Sequence, residues 1–77
     1  MRSRLVVLVA VLVVVAALVT QGGVESRLRS HVRWAVEHGS NRDELEALVT
    51  LLGVYVGFPK ASVGMEIVRD ELEQLGV

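Results

Sequence analysis

The sequence predicts an all-α protein of four helices and no sheet, and three observations lead to this fold class. A run of fifteen uncharged residues, LVVLVAVLVVVAALV, occupies positions 5–19. Each of the three later segments carries apolar residues at intervals of three and four, the spacing that lines one face of a helix. Turn-forming residues, in the stretches TQGG, HGSN and GFP, separate the four segments.

The run Leu5–Val19 has three interpretations. Together with the basic start MRSR it has the outline of a secretory signal peptide, with a weak cleavage site at Thr20-Gln21-Gly22. As a membrane-spanning helix it is shorter than the roughly 20 residues that a bilayer requires. Its many valines suit a strand or a buried helix equally well. Because each later segment has only one apolar stripe, those segments are expected to wrap this run as the buried core helix.

The second helix is predicted from a stripe that alternates with charged residues and ends at Gly39, the expected C′ residue. The apolar stripe consists of Val24, Leu28, Val32, Ala35 and Val36, and the opposite face holds Arg27, Arg29, Arg33 and Glu37.

The third helix is predicted to begin with a capping box, in which Asn41 is the N-cap and Glu44 at N3 bonds back to it. Its apolar stripe contains Leu45, Leu48, Val49, Leu52, Tyr55 and Val56. The stretch GFP is expected to end it, because Gly57 frees the backbone and Pro59 disfavours the helical conformation at Phe58.

The fourth helix is predicted to run from Pro59, a favourable first helical residue, to about Leu75. Val63, Ile67, Val68 and Leu72 are expected to face inward, and Glu66, Arg69, Asp70, Glu71 and Glu73 outward.

Composition limits the function. Seventy-seven residues form one domain, and an apolar content of 52% is more than so small a sphere can bury, so either oligomerisation or a bilayer must cover the surplus. The absence of cysteine excludes thiolate chemistry and disulfides, and two histidines are too few for an all-histidine metal site. Eight basic and nine acidic residues give no field that would attract nucleic acid.

Residues 13–72 resemble the carboxymuconolactone decarboxylase family, which also includes alkylhydroperoxidase D. The resemblance is carried by GGVESRLRSHVRWAVEHG, by NRDELEALVTLLGVYVGFP, and by the small residues Ala61 and Gly64. It implies one domain over residues 1–77 with the fold of the C-terminal half of the alkylhydroperoxidase D-like bundle. It also implies completion by homo-oligomerisation, as a trimer or hexamer.

The sequence departs from the family pattern both in the length of the domain and in residues that could affect activity. The family has an arginine near the positions of Val11 and Leu12, and further helices upstream, so the chain resembles a truncated copy. The two cysteines of the family's redox branch fall on Val24 and Arg27, which excludes a thiol peroxidase. In its third helix the family often has an acidic residue followed four positions later by histidine or glutamine. This chain has Ala47 and Leu51 at those positions.

The decarboxylase branch of the family is similar to this chain in keeping the histidine without the cysteines. This similarity implies a carboxy-lyase of aromatic catabolism that works without a cofactor or metal on a small carboxylated lactone in the cytoplasm. His31 is the expected proton donor, because its reference pKa lies near neutrality. Arg27, one helical turn earlier, is expected to bind the substrate carboxylate, and Tyr55 to orient the substrate.

Less specific roles stay open for these residues. His31 at the border of the stripe fits a packing role, His38 fits a cation near the negative end of the helix dipole, and Trp34 fits a subunit contact. Two other functions also stay open for the whole chain: a catalytically silent helical oligomerisation module, and a membrane-anchored or exported small protein.

Overall fold

The structure, a computed structural model, describes residues 3–77 as four α-helices. They are α1 (Arg4–Gln21), α2 (Glu25–Glu37), α3 (Arg42–Val56) and α4 (Phe58–Leu75). No strand occurs within residues 3–77, so the predicted all-α, four-helix class is confirmed. The predicted helix ends lie within two residues of the observed ones. Met1 and Arg2, which begin the basic start MRSR, lie outside the described residues.

The helices form a ring in which α2 and α3 stand at opposite corners. α1 packs against α2, α3 and α4, and α4 packs against α2 and α3, whereas α2 and α3 make little contact. The core between the helices is built from aliphatic side chains of all four. Its buried members are Val11, Val15, Val19, Leu28, Val32, Ala35, Leu45, Val49, Ala61, Val68 and Leu72.

The prediction that three helices would wrap the uncharged run is wrong within the single chain. Only Val11, Val15 and Val19 of α1 are buried, and these four-residue steps place them on one face. The ring gives each helix one inward face, so the opposite face of α1 stays exposed. By length and composition α1 is also able to cross a membrane, because its 18 residues have a mean hydropathy of 2.5. Within the folded chain, 17% of this segment is buried.

The helix ends follow local chemistry and confirm the predicted caps. The Asn41 side chain accepts a hydrogen bond from the Glu44 amide at 2.9 Å, and the Glu44 carboxylate accepts one from the Asn41 amide at 3.0 Å. Gly39 adopts a φ of 108° after α2, and the Ser40 amide donates to the Ala35 carbonyl at 3.0 Å. This arrangement is a Schellman-type ending, which requires a left-handed residue.

Three assignments of side-chain direction are wrong. Tyr55 and Val63, expected to face inward, are 79% and 55% exposed, whereas Glu71, expected to face outward, is buried. The inward face of α4 instead includes Ala61 and Gly64. Small residues occupy this face because α1 approaches closely there: a Cβ atom on Gly64 would lie 2.7 Å from Cγ1 of Val19.

Candidate functional site

One flank of α2 is held to α4 by ion pairs centred on Glu71. The buried Glu71 carboxylate accepts hydrogen bonds from the Arg29 guanidinium at 3.2 Å and from the Arg33 guanidinium at 2.8 Å. These two arginines satisfy both carboxylate oxygens, which explains why an acidic residue is buried in the α2–α4 contact. This flank therefore serves packing between helices.

Arg29 also joins two acidic side chains at the edge of the same contact. Its guanidinium donates to Glu25 at 2.9 Å and 3.0 Å and to Asp70 at 2.7 Å. The hydrogen bonds that Arg29 donates to Glu25, Asp70 and Glu71, in that order of importance, raise the pKa of its guanidinium above the ordinary value. Arg29 is therefore committed to the structure and is not available for a ligand.

The other flank of α2 carries His31, Trp34 and His38 in a row. The ring centroids of His31 and Trp34 are 5.7 Å apart, and those of Trp34 and His38 are 6.2 Å apart. His31 is two residues from Arg29 and Arg33, so at about 100° per residue it lies nearly opposite the ion-paired flank. Because α4 adjoins that flank, the row of three rings lies on the side of α2 turned away from α4.

The orientation of the half-buried His31 ring is fixed by its own helix. Its Nδ1 lies 2.8 Å from the Arg27 carbonyl oxygen. A carbonyl can only accept, so Nδ1 carries the proton and donates it, and Nε2 is the nitrogen left for a further partner. His38 repeats the arrangement with the Trp34 carbonyl at 3.0 Å. His31 and His38 thus have matched local bonding.

The structure brings Arg27 and His31 together but places Tyr55 elsewhere. Arg27 is exposed one turn before His31, and no carboxylate within residues 3–77 forms an ion pair with its guanidinium. Tyr55 lies in the last turn of α3, at the opposite corner of the ring from α2. One chain therefore presents a cation and a histidine side by side without the tyrosine.

Cavities and grooves lie between the helices. One of about 350 Å³ lies where the end of α1 meets the starts of α2 and α4, and one of about 360 Å³ lies between α3 and α4. An apolar groove of about 270 Å³ separates α1 from α3. His31, Arg27 and Tyr55 line none of the three. Over residues 3–77, no group of three or more His, Asp or Glu side chains is placed to hold a metal ion.

Sequence reasoning missed Lys60, which stands at the mouth of the first cavity. Its Nζ donates to the Thr20 carbonyl at the end of α1 at 2.8 Å. The one sequence feature that could have indicated this role is the position of Lys60 just after Pro59, at the start of α4. That helix start lies near the Gly22-Gly23 turn in the structure.

A second ion pair joins α3 to α4 and makes stability depend on pH. The Glu46 carboxylate accepts hydrogen bonds from Arg69 at 2.9 Å and from Arg42 at 3.3 Å. The bond from Arg69 is the main cause that lowers the pKa of Glu46 below its ordinary value of 4.5. A lowered folded-state pKa means that the stabilisation is present above pH 4.5 and is lost as pH falls through the folded-state value.

We expect Glu46→Gln to lower the thermal midpoint at pH 7 and to have a smaller effect at pH 3, because pH 3 lies below the ordinary pKa of 4.5 and the wild-type stabilisation is already being lost there. Thermal unfolding followed by circular dichroism at both pH values measures this difference. Glu73→Gln is the control, because Glu73 is exposed and forms no ion pair with the residues described here. An equal loss from Glu46→Gln at both pH values would contradict the assignment.

The sequence model of the carboxymuconolactone decarboxylase family matches residues 8–70. The 4-carboxymuconolactone decarboxylase of Acinetobacter baylyi is 32% identical over 66 residues, which are 86% of this chain and 48% of that protein. The chain therefore spans about half the length of this curated relative. None of the solved structures matches it.

Proposed function

Because the chain belongs to the carboxymuconolactone decarboxylase family, we propose that it removes carbon dioxide from a carboxylated lactone such as 4-carboxymuconolactone, without a metal or organic cofactor. The observation that carries the proposal is that His31 and Arg27 lie one turn apart on the flank of α2 opposite the ion pairs with α4. The 2.8 Å bond from Nδ1 fixes the imidazole and leaves Nε2 for the substrate. The nearby guanidinium supplies the positive charge that a carboxylate substrate needs.

In the proposed reaction Arg27 orients the substrate through its positive charge, and His31 supplies the proton. The bond between the carboxylate carbon and the ring carbon breaks, carbon dioxide leaves, and the bonding electron pair stays in the lactone ring. The imidazolium of His31 delivers its Nε2 proton to a ring carbon, and the neutral imidazole is then reprotonated from water. Charge and atoms balance without an oxidant or reductant.

Tyr55 enters this proposal only through assembly with a second copy. The exposed face of α1 includes Leu5, Val6, Val9 and Val13, each more than half exposed. The groove between α1 and Leu48 of α3 continues this face toward Leu51 and Tyr55, which lie on the same side of α3. An apolar face of this kind marks an interaction site, and Trp34 stays a predicted subunit contact beside it.

A second copy fits this face better than a lipid bilayer does. Arg4 donates to the Glu37 carbonyl at 3.0 Å, which holds α2 antiparallel along α1. If α1 spanned a bilayer, Arg27, Arg29 and Arg33 of α2 would also enter the hydrocarbon. Each arginine near the bilayer centre would cost about 2.5–3.5 kcal/mol. We therefore propose a cytoplasmic homo-oligomer, a trimer or hexamer by family resemblance, that completes the site beside His31.

Assembly is tested by light scattering after size-exclusion chromatography in detergent-free buffer. The wild type is expected as one homogeneous oligomer, and Val13→Glu as a folded monomer, because Val13 is 64% exposed and a charge there affects only the contact. Val54→Glu is the matched control, since Val54 is 78% exposed and lies about 120° around α3 from Leu48, which lines the groove against α1. A wild-type monomer, or recovery only from membranes, would contradict the proposal, and the latter would support an anchored protein.

A second candidate function is a catalytically silent oligomerisation module. Two observations favour it: His31 lines none of the three cavities described above, and Ala47 and Leu51 are exposed apolar residues. Such a module would form the oligomer with no lactone turnover, so the assay of the wild-type chain separates the two functions.

A further inference from the structure

The cavity of about 350 Å³ at the end of α1 has the size and lining of a small-molecule site. Its walls are mostly aliphatic and come from three helices, and small-molecule sites begin near this volume. The aliphatic lining residues are Leu18, Val19, Leu28, Val63 and Ile67. The cavity is separate from His31, so what it binds does not depend on the proposed decarboxylation.

Two charged side chains, Glu25 and Lys60, lie at the mouth of this cavity, and only Glu25 forms an ion pair with another described residue. Glu25 is bound by Arg29 at 2.9 Å and 3.0 Å. Lys60 donates one hydrogen bond, to the Thr20 carbonyl, and no carboxylate within residues 3–77 forms an ion pair with it. An ammonium group has three N–H donors, so two remain for a ligand at the mouth.

The backbone at the same mouth adds a second positive contribution. Gly22 and Gly23 line the cavity with φ values of 73° and 72°, and the N-cap Val24 makes no side-chain capping bond. The first-turn amides of α2 therefore lack a side-chain cap at the positive end of the helix dipole, and the acidic residue of that turn, Glu25, is already paired with Arg29. Together with Lys60, they favour an anionic group at an otherwise apolar opening.

We propose that this cavity binds an amphipathic monocarboxylate, with its hydrocarbon chain among the aliphatic walls and its carboxylate at Lys60 Nζ and the start of α2. One unbalanced cation matches one negative charge, and the aliphatic walls match a chain of medium length. Lys60 also holds the end of α1 through Thr20, so the test must distinguish recognition of a carboxylate from this structural bond.

The test is a nuclear magnetic resonance titration of the full chain with octanoate, kept below its micelle concentration, and in parallel with 1-octanol. Octanoate should shift the amides of Gly22, Gly23 and Val24 and bind about tenfold more tightly than octanol, because only the acid gains a charge-assisted hydrogen bond. The chain's single lysine makes the response of the Lys60 side chain unambiguous.

Variants separate the carboxylate contact from the fold. Lys60→Met should reduce octanoate affinity to that of octanol and leave octanol binding unchanged, while Lys60→Arg keeps the preference. Arg69→Met, an exposed cation on α4 outside this cavity, is the charge control. If Lys60→Met fails to fold, Val63→Trp, which blocks the cavity from its exposed rim, should abolish binding of both ligands.

Four results would overturn the proposal: equal affinity for octanoate and octanol, an unchanged preference in Lys60→Met, shifts confined to the exposed face of α1, or no binding of octanoate. None of them bears on lactone turnover at His31.

Discussion

Replacing His31 with glutamine is expected to lower kcat/KM for decarboxylation of the proposed lactone by about 10²–10⁴-fold, the range typical of a lost general acid. Glutamine is neutral and cannot release a proton, but its size and polarity suit the half-buried position on α2. Release of carbon dioxide from the lactone by the assembled protein measures the effect. Circular dichroism and light scattering establish that the variant keeps its fold and oligomeric state.

His38→Gln is the matched control for this experiment. His38 sits on the same flank, contacts the same tryptophan, and bonds through Nδ1 to the carbonyl four residues earlier, as His31 does. We expect its turnover to stay within about threefold of the wild type, which corresponds to less than 1 kcal/mol of transition-state stabilisation. Equal losses in both variants would assign His31 to packing, and an inactive wild-type chain would favour the silent module.

Gly64→Ala is expected to destabilise the fold by about 1–2 kcal/mol despite the better helix propensity of alanine. The new Cβ would lie 2.7 Å, 3.0 Å and 3.3 Å from Cγ1, Cγ2 and Cβ of Val19. Rotating the valine side chain relieves little, because its own Cβ is also close and the residue is buried. The 2.7 Å approach to a buried side chain places the overpacking cost in the upper part of its usual range, at about 2–3 kcal/mol, which exceeds the propensity gain of about 1 kcal/mol.

Gly53→Ala tests this argument at a second buried glycine inside a helix. A Cβ there would be 3.4 Å from two ring atoms of Phe58 and 3.6 Å from Cβ of Ala61, and the exposed Phe58 ring can move. The propensity gain should therefore dominate and stabilise by about 0.5–1 kcal/mol. In thermal unfolding, the midpoint of Gly53→Ala should lie above that of the wild type, and the midpoint of Gly64→Ala should lie about 4–16 °C below it. A neutral or stabilising Gly64→Ala would contradict the close approach of α1 and α4.

The helix boundaries were predictable because they depend on neighbouring residues. Asn41 and Glu44 form their capping box within one turn, and Gly39 supplies the left-handed residue that ends α2. Both depend on backbone chemistry within a few residues of the helix end, which the sequence displays directly. The family resemblance implied an all-helical fold, and the match over residues 8–70 confirms the family.

Side-chain direction in α4 was less predictable because it depends on the neighbouring helices. Hydrophobicity ranks Val63 above Gly64, yet the glycine faces inward because α1 comes too close for a side chain. Glu71 is buried because two arginines of α2 pair with it, at separations of 42 and 38 residues along the sequence. Patterns within a single helix carry no information about either contact.

The candidate site was predictable only on α2. The one-turn spacing of Arg27 and His31 places them together, and the structure keeps that relation. The placement of Tyr55 across the ring, and of Lys60 at the mouth of a cavity, depends on how the helices are arranged. The burial of α1 was overestimated for the same reason, since a fully apolar helix does not reveal which of its faces the neighbours will cover.

The central claim is that the uncharged N-terminal helix is part of the folded domain and packs through Val11, Val15 and Val19. Hydrogen exchange of the full chain in detergent-free buffer tests it most directly. We predict that these three amides are protected to the same degree as those of Leu45 and Val49 in the core. Free exchange along α1 in buffer, with protection gained only on addition of lipid vesicles, would contradict the account.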